Sequence, residues 1–94
     1  DYARARDVLL QELPSMGLGN FAPPDGGFYL YIDVSHLTDD SEQWCDQLLH
    51  DTGVAIAPGV DFDPIDGHKY VRVSFCVSLE TIRAACDRLR QWLG

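Results

Sequence analysis

Lysine is nearly missing from this chain. Lys69 is the only one, and the seven lysines and arginines face fifteen aspartates and glutamates, for a net charge of -8. Binding to a phosphate backbone needs clustered Lys and Arg, so this composition argues against nucleic acid and acidic membranes as partners. Cysteine is sparse: Cys45, Cys76 and Cys86 are odd in number and form no C-x-x-C pair. That speaks against a disulfide framework and against a structural zinc site. The three read as reduced, largely buried thiols of a cytoplasmic protein. Long apolar runs are absent, whereas a bilayer span takes about 20 residues, and no charged-then-apolar leader opens the chain. A soluble protein is expected. The initiator methionine is lacking too, and a helical pattern begins at once after Asp1, as it would in a fragment.

What is present suits one globular domain: 94 residues, 46% hydrophobic and 11% aromatic, with no low-complexity tract and no internal repeat. Ala5, Val8, Leu9 and Leu13 recur at helical spacing, predicting a helix over 2–13 that Pro14 ends. A Gly- and Pro-rich connector follows over 15–27, with Gly26-Gly27 as a turn or bulge that feeds a strand. The strand is predicted over 28–34, with Phe28, Leu30, Ile32 and Val34 on one face and Tyr29, Tyr31 and Asp33 on the other.

Asp39-Asp40-Ser41-Glu42 caps a second helix carrying Trp44, Cys45, Leu48 and Leu49, which stops near Gly53. A short strand over 54–57 and an acidic loop over 60–69 lead to a third strand over 70–75. There Val71, Val73 and Phe75 oppose Tyr70, Arg72 and Ser74. Ser78 caps a last helix striped by Leu79, Ile82, Cys86, Leu89 and Leu93. The expected fold is a two-layer α+β sandwich, a three- to four-stranded sheet with the helices packed on one face. The other face, holding Tyr29, Tyr31, Arg72 and Ser74, is then a surface for docking.

Arg72 is the leading candidate for a functional role. A long cation in mid-strand either pairs with a nearby Asp at the sheet surface or captures a substrate carboxylate through its planar fork. The acidic run Asp61, Asp63, Asp66 and Gly67 fails as a calcium loop, because Ile65, Asp66 and Arg72 fall where a ligand, the glycine and the bidentate glutamate belong. It reads as a solvated loop. His36, His50 and His68 lack an H-x-x-x-H partner or a nucleophile motif, so surface or packed histidines are expected and no metal site.

Three stretches together resemble the end of the class I/II aminotransferases of fold type I. They are Pro24-Asp25-Gly26-Gly27-Phe28-Tyr29-Leu30-Tyr31 with Asp33, then Leu48-Leu49 with Gly53-Val54-Ala55-Ile56-Ala57-Pro58-Gly59, and Tyr70-Val71-Arg72-Val73-Ser74-Phe75. Tyr2-Ala3-Arg4-Ala5-Arg6-Asp7 and Arg88-Leu89 extend the likeness over nearly the whole chain. The resemblance implies that residues 1–94 form the C-terminal small domain of a larger, pyridoxal-phosphate-dependent enzyme, homodimeric when intact. It implies that Arg72 binds the α-carboxylate of amino-acid and 2-oxo-acid substrates. The cofactor-holding lysine and the phosphate cup would lie in the large domain of the same chain, leaving no catalytic and no cofactor-binding residue here. Lys69, outside any family lysine motif, is not that lysine. Two other readings use the same residues: an amino-acid sensor built on Arg72 and the Gly26-Gly27 turn, and an interaction module presenting Tyr29 and Tyr31.

Overall fold

A computed structural model describes residues 2–21, 29–61, 63–75 and 77–94, so the Gly26-Gly27 turn, Phe28 and Cys76 lie outside the described residues. Helix α1 (Tyr2–Ser15) turns Ala5, Leu9 and Leu13 into the core. It runs past the predicted stop, with Pro14 inside its last turn. A proline there forfeits its own N–H bond but keeps its carbonyl. Gly17, at φ +86°, donates its N–H to Pro14 O at 3.3 Å, and Leu18 donates to Leu13 O at 2.9 Å. Paired bonds around a left-handed glycine make the actual stop, and they deliver Leu18 into the core.

Strand β1 (Tyr29–Asp33) alternates as predicted: Leu30 and Ile32 are fully buried, while Tyr29, Tyr31 and Asp33 take the other face. Its outer edge meets Phe21, which bridges Ile32, and Asp33 N–H donates to Asn20 O at 2.9 Å. Helix α2 (Ser41–Thr52) starts where the Asp40 carboxylate accepts from Gln43 N–H at 3.2 Å and ends at Gly53, φ +79°. Trp44, Cys45 and Leu48 point inward, but Leu49, predicted in the same stripe, is exposed. With about 3.6 residues per turn, Leu49 sits ~100° round from Leu48, outside the buried stripe of Trp44, Cys45 and Leu48.

The second predicted strand, 54–57, pairs only at its end, as strand β2 (Ala57–Pro58). Pro58 has no N–H to extend a ladder, which confines this strand to an edge. The acidic loop is more ordered than predicted, with two 3-10 turns, Gly59–Asp61 and Gly67–Lys69. Asp63 builds it: its carboxylate accepts from Ile65 N–H at 3.1 Å and Asp66 N–H at 3.2 Å, and its carbonyl accepts from Gly67 N–H at 3.0 Å. Gly59 and Gly67 meet back to back, and the buried Ser41 hydroxyl donates to Gly67 O at 2.8 Å, tying this loop to α2.

Strand β3 (Tyr70–Ser74) lies at the centre of an antiparallel sheet ordered β1-β3-β2. Helix α3 (Leu79–Leu93) begins at Ser78, whose hydroxyl accepts from Thr81 N–H at 3.2 Å, and buries Ile82, Cys86 and Leu89. Leu30, Ile32, Val71, Val73 and Phe75 share one core with the inward residues of the three helices. The fold is the expected two-layer α+β arrangement, with three strands among the described residues and the Phe21 bridge as a rudimentary fourth. Among the described residues no helix is long and apolar enough to cross a membrane.

Candidate functional site

Alternation along β3 sends Val71 and Val73 into the core and leaves Tyr70, Arg72 and Ser74 half-buried on the opposite face. Because β3 is central, Arg72 has neighbours on both sides: Tyr31 of β1 and Ala57 of β2 face it in register. Side chains diagonal to each other on one sheet face are within reach when they are long or aromatic. Two such contacts run in the same sense here. The Arg72 guanidinium carbon lies 4.2 Å from the centroid of the Tyr29 ring, and the Tyr31 ring stacks on Tyr70 at 4.6 Å and 9°.

The electrostatics of this face are set by the cation and by the acidic turn beside it. Burial, followed by the charge of Asp63, the neighbouring Tyr70 and the charge of Asp66, raises the pKa of the Tyr31 phenol. It therefore stays protonated at neutral pH. Arg72 supplies the opposite sign, and its fork suits a planar anion such as a carboxylate.

The other candidates fall elsewhere. Lys69 is exposed at the end of a 3-10 turn, its ammonium 3.9 Å from the Asp66 carboxylate. Among the described residues no group of three acids, histidines or cysteines is placed to hold a metal ion. His36 donates from Nε2 to Gly17 O at 2.8 Å, linking the end of β1 to the close of α1, and His50 Nδ1 lies 3.2 Å from Asp51. Cys45 and Cys86 are buried free thiols. Burial, with lesser repulsion from Asp46 and Asp61, pushes Cys45 up to about 12, and burial is the main cause that raises Cys86. Neither is a nucleophile at neutral pH.

Sequence reasoning placed Tyr29, Tyr31, Arg72 and Ser74 on one face but missed who touches whom. Period-two alternation assigns faces; the diagonal partners depend on the β1–β3 register, which no local signal carries. The site also does not fit pyridoxal phosphate on its own. A cofactor held through a lysine needs that lysine at the site, and the ammonium of Lys69 is placed against Asp66 in the loop.

The family model for aminotransferase class I and II matches residues 1–89. The chain is 49% identical over 92 residues to a valine–pyruvate aminotransferase of Mycobacterium tuberculosis, covering 98% of this chain and 24% of that protein. It is 40% identical over 93 residues to an aspartate/prephenate aminotransferase of Thermus thermophilus, covering 99% and 23%. In three dimensions it matches the crystal structure of an aminotransferase from Mycobacterium tuberculosis with a TM-score of 0.95 at 49% identity, covering 98% of this chain and 24% of that one. An aromatic aminotransferase from Pyrococcus horikoshii matches at 0.89 with 29% identity, again over 98% and 24%. The chain thus spans about a quarter of the length of the relatives it matches. With sequence and fold agreeing from the first residues of α1 into α3, this chain belongs to the class I and II aminotransferase family.

Proposed function

We propose that this chain is the C-terminal small domain of a longer pyridoxal-phosphate-dependent aminotransferase, and that Arg72 binds the α-carboxylate of its amino-acid and 2-oxo-acid substrates. The observation that carries the reading is the position of Arg72: mid-strand in the central strand, on the sheet face turned away from the helices, beside an aromatic ring. A cation anchored by a sheet is held more firmly than one on a loop, which suits the task of orienting a substrate. The short share of the relatives' length supports a division of labour with a large domain of the same chain, and the intact protein is read as a homodimer.

In that enzyme the cofactor, bound by the large domain, supplies the electron sink for the amino-acid carbon. Arg72 contributes orientation. Gripping the carboxylate fixes the α-carbon relative to the reacting groups, while the stacked Tyr31 and Tyr70 rings present an apolar surface that limits water around the captured anion. The isolated chain, lacking a fitting lysine, is read as inactive.

The test is steady-state kinetics on the full-length enzyme with Arg72→Ala and Arg72→Lys, across a panel of L-amino acids that includes valine. Truncating one partner of a charge-assisted pair costs about 2–5 kcal/mol, so kcat/KM for Arg72→Ala falls roughly 30- to 4000-fold, with cofactor absorbance unchanged. Lysine restores part of the loss, as a point charge without the fork. Wild-type kcat/KM for every substrate in the alanine variant would overturn the assignment.

A further inference from the structure

Resting on the reading of Arg72 as the carboxylate-binding group, we infer that Tyr29 is a positioning residue: its ring face holds the Arg72 guanidinium ready for the incoming carboxylate. The geometry points to the ring. The guanidinium carbon is 4.2 Å from the Tyr29 centroid, well inside the ~6 Å over which a ring attracts a cation. Tyr31, although directly opposite Arg72 in the ladder, stacks its ring on Tyr70 instead. Tyr29 is 46% exposed, so its size is not explained by filling the core.

A ring and an acid would act differently on the guanidinium. An aspartate holding Arg72 would take up N–H donors of the fork and compete with the substrate carboxylate. A ring against the guanidinium carbon attracts the charge through its quadrupole and takes none of the five in-plane donors. A free arginine side chain also has about 2 kcal/mol of rotamer entropy to lose when it binds. A ring that already restrains it removes part of that loss before substrate arrives, an advantage in affinity from pre-organisation.

The experiment uses the full-length enzyme in single-turnover reaction with its best L-amino acid, comparing Tyr29→Leu, Tyr29→Phe, Arg72→Ala and the double variant Tyr29→Leu/Arg72→Ala. Tyr29→Leu removes the quadrupole at a position outside the core of this domain. It raises the apparent Kd roughly 3- to 30-fold, with the limiting rate within about twofold of wild type. Tyr29→Phe, which keeps the ring face and loses only the hydroxyl, recovers most of that affinity. In the Arg72→Ala background Tyr29→Leu has no further effect, because its action passes through the guanidinium. An unchanged Kd for Tyr29→Leu beside a crippled Arg72→Ala would sink this inference and leave the role of Arg72 standing. So would an equal penalty with and without Arg72. An unchanged Kd for Arg72→Ala would instead remove the underlying reading.

Discussion

A methyl group at Gly67 has nowhere to go. Its Cβ would lie 2.4 Å from the Gly59 carbonyl carbon and from Val60 N, backbone atoms that cannot rotate aside. Gly67→Ala must therefore spread the two 3-10 turns and break the Ser41 hydrogen bond to Gly67 O. A loss of about 3 kcal/mol or more, read by urea unfolding, is expected, against about 1–3 kcal/mol for Ser41→Ala, which leaves a buried carbonyl without its donor. A Gly67→Ala protein with an unshifted midpoint would contradict the close approach. Arg72 shows the other side of residue-scale reading. Its flanking valines marked a strand and its charge marked the face, so the residue was legible. The Tyr29 ring over it was not, because that contact needs two strands brought together in one register.

Elements are joined at their ends by a few polar groups. Asp51, in the last turn of α2, accepts from Trp92 Nε1 of α3 and from Gln47 Nε2, both at 2.8 Å, and the Trp92 ring meets Trp44 edge-on at 5.2 Å. Arg88 of α3 donates to Thr52 O at 3.1 Å, and Arg90 pairs with Glu12 across α3 and α1. The bonds from Trp92, His50 and Gln47 hold the Asp51 carboxyl below its ordinary 3.8. A carboxyl whose folded pKa is lowered stabilises the fold above its unfolded pKa and loses that effect as pH falls through the folded one. Asp51→Asn should thus lower Tm at neutral pH, with the gap to wild type narrowing below about pH 4. A gap that stays constant down to pH 2 would mean the carboxylate charge is not what matters. At the other end of α2, Asp40→Ala should cost about 1 kcal/mol in denaturant unfolding, since the cap to Gln43 N–H is lost.

Taken whole, the molecule measures 33 × 29 × 20 Å, and its least dimension is that of one sheet and one helix layer. Everything depends on the single core between them. Leu30 and Leu48, one from each layer, are fully buried, so Leu30→Ala or Leu48→Ala should each cost about 2–5 kcal/mol. Cys45 and Cys86 report on the same core. Buried, with thiols whose pKa values are raised, they should resist iodoacetamide at pH 8 in the native state and react only in denaturant, as read by mass spectrometry. Rapid native labelling of either would show that the layers open without global unfolding.

Helix and strand periodicities, the caps at Asp40 and Ser78, and the faces of β1 and β3 were written in neighbouring residues, and so the order of elements and the family resemblance could be read directly. The predicted stop at Pro14 and the length of β2 could not: the bonds around left-handed Gly17, with Leu18 buried in the core, set the first, and pairing at the sheet edge at Pro58 set the second. The central place of β3, the diagonal ring contacts and the Gly59–Gly67 approach also came only from the tertiary fold. Local periodicity is enforced by each residue's bond to its near neighbours. Pairing across α2 is enforced by burying Leu30, Ile32, Val71 and Val73 together, and that choice exists only once the chain has closed on itself.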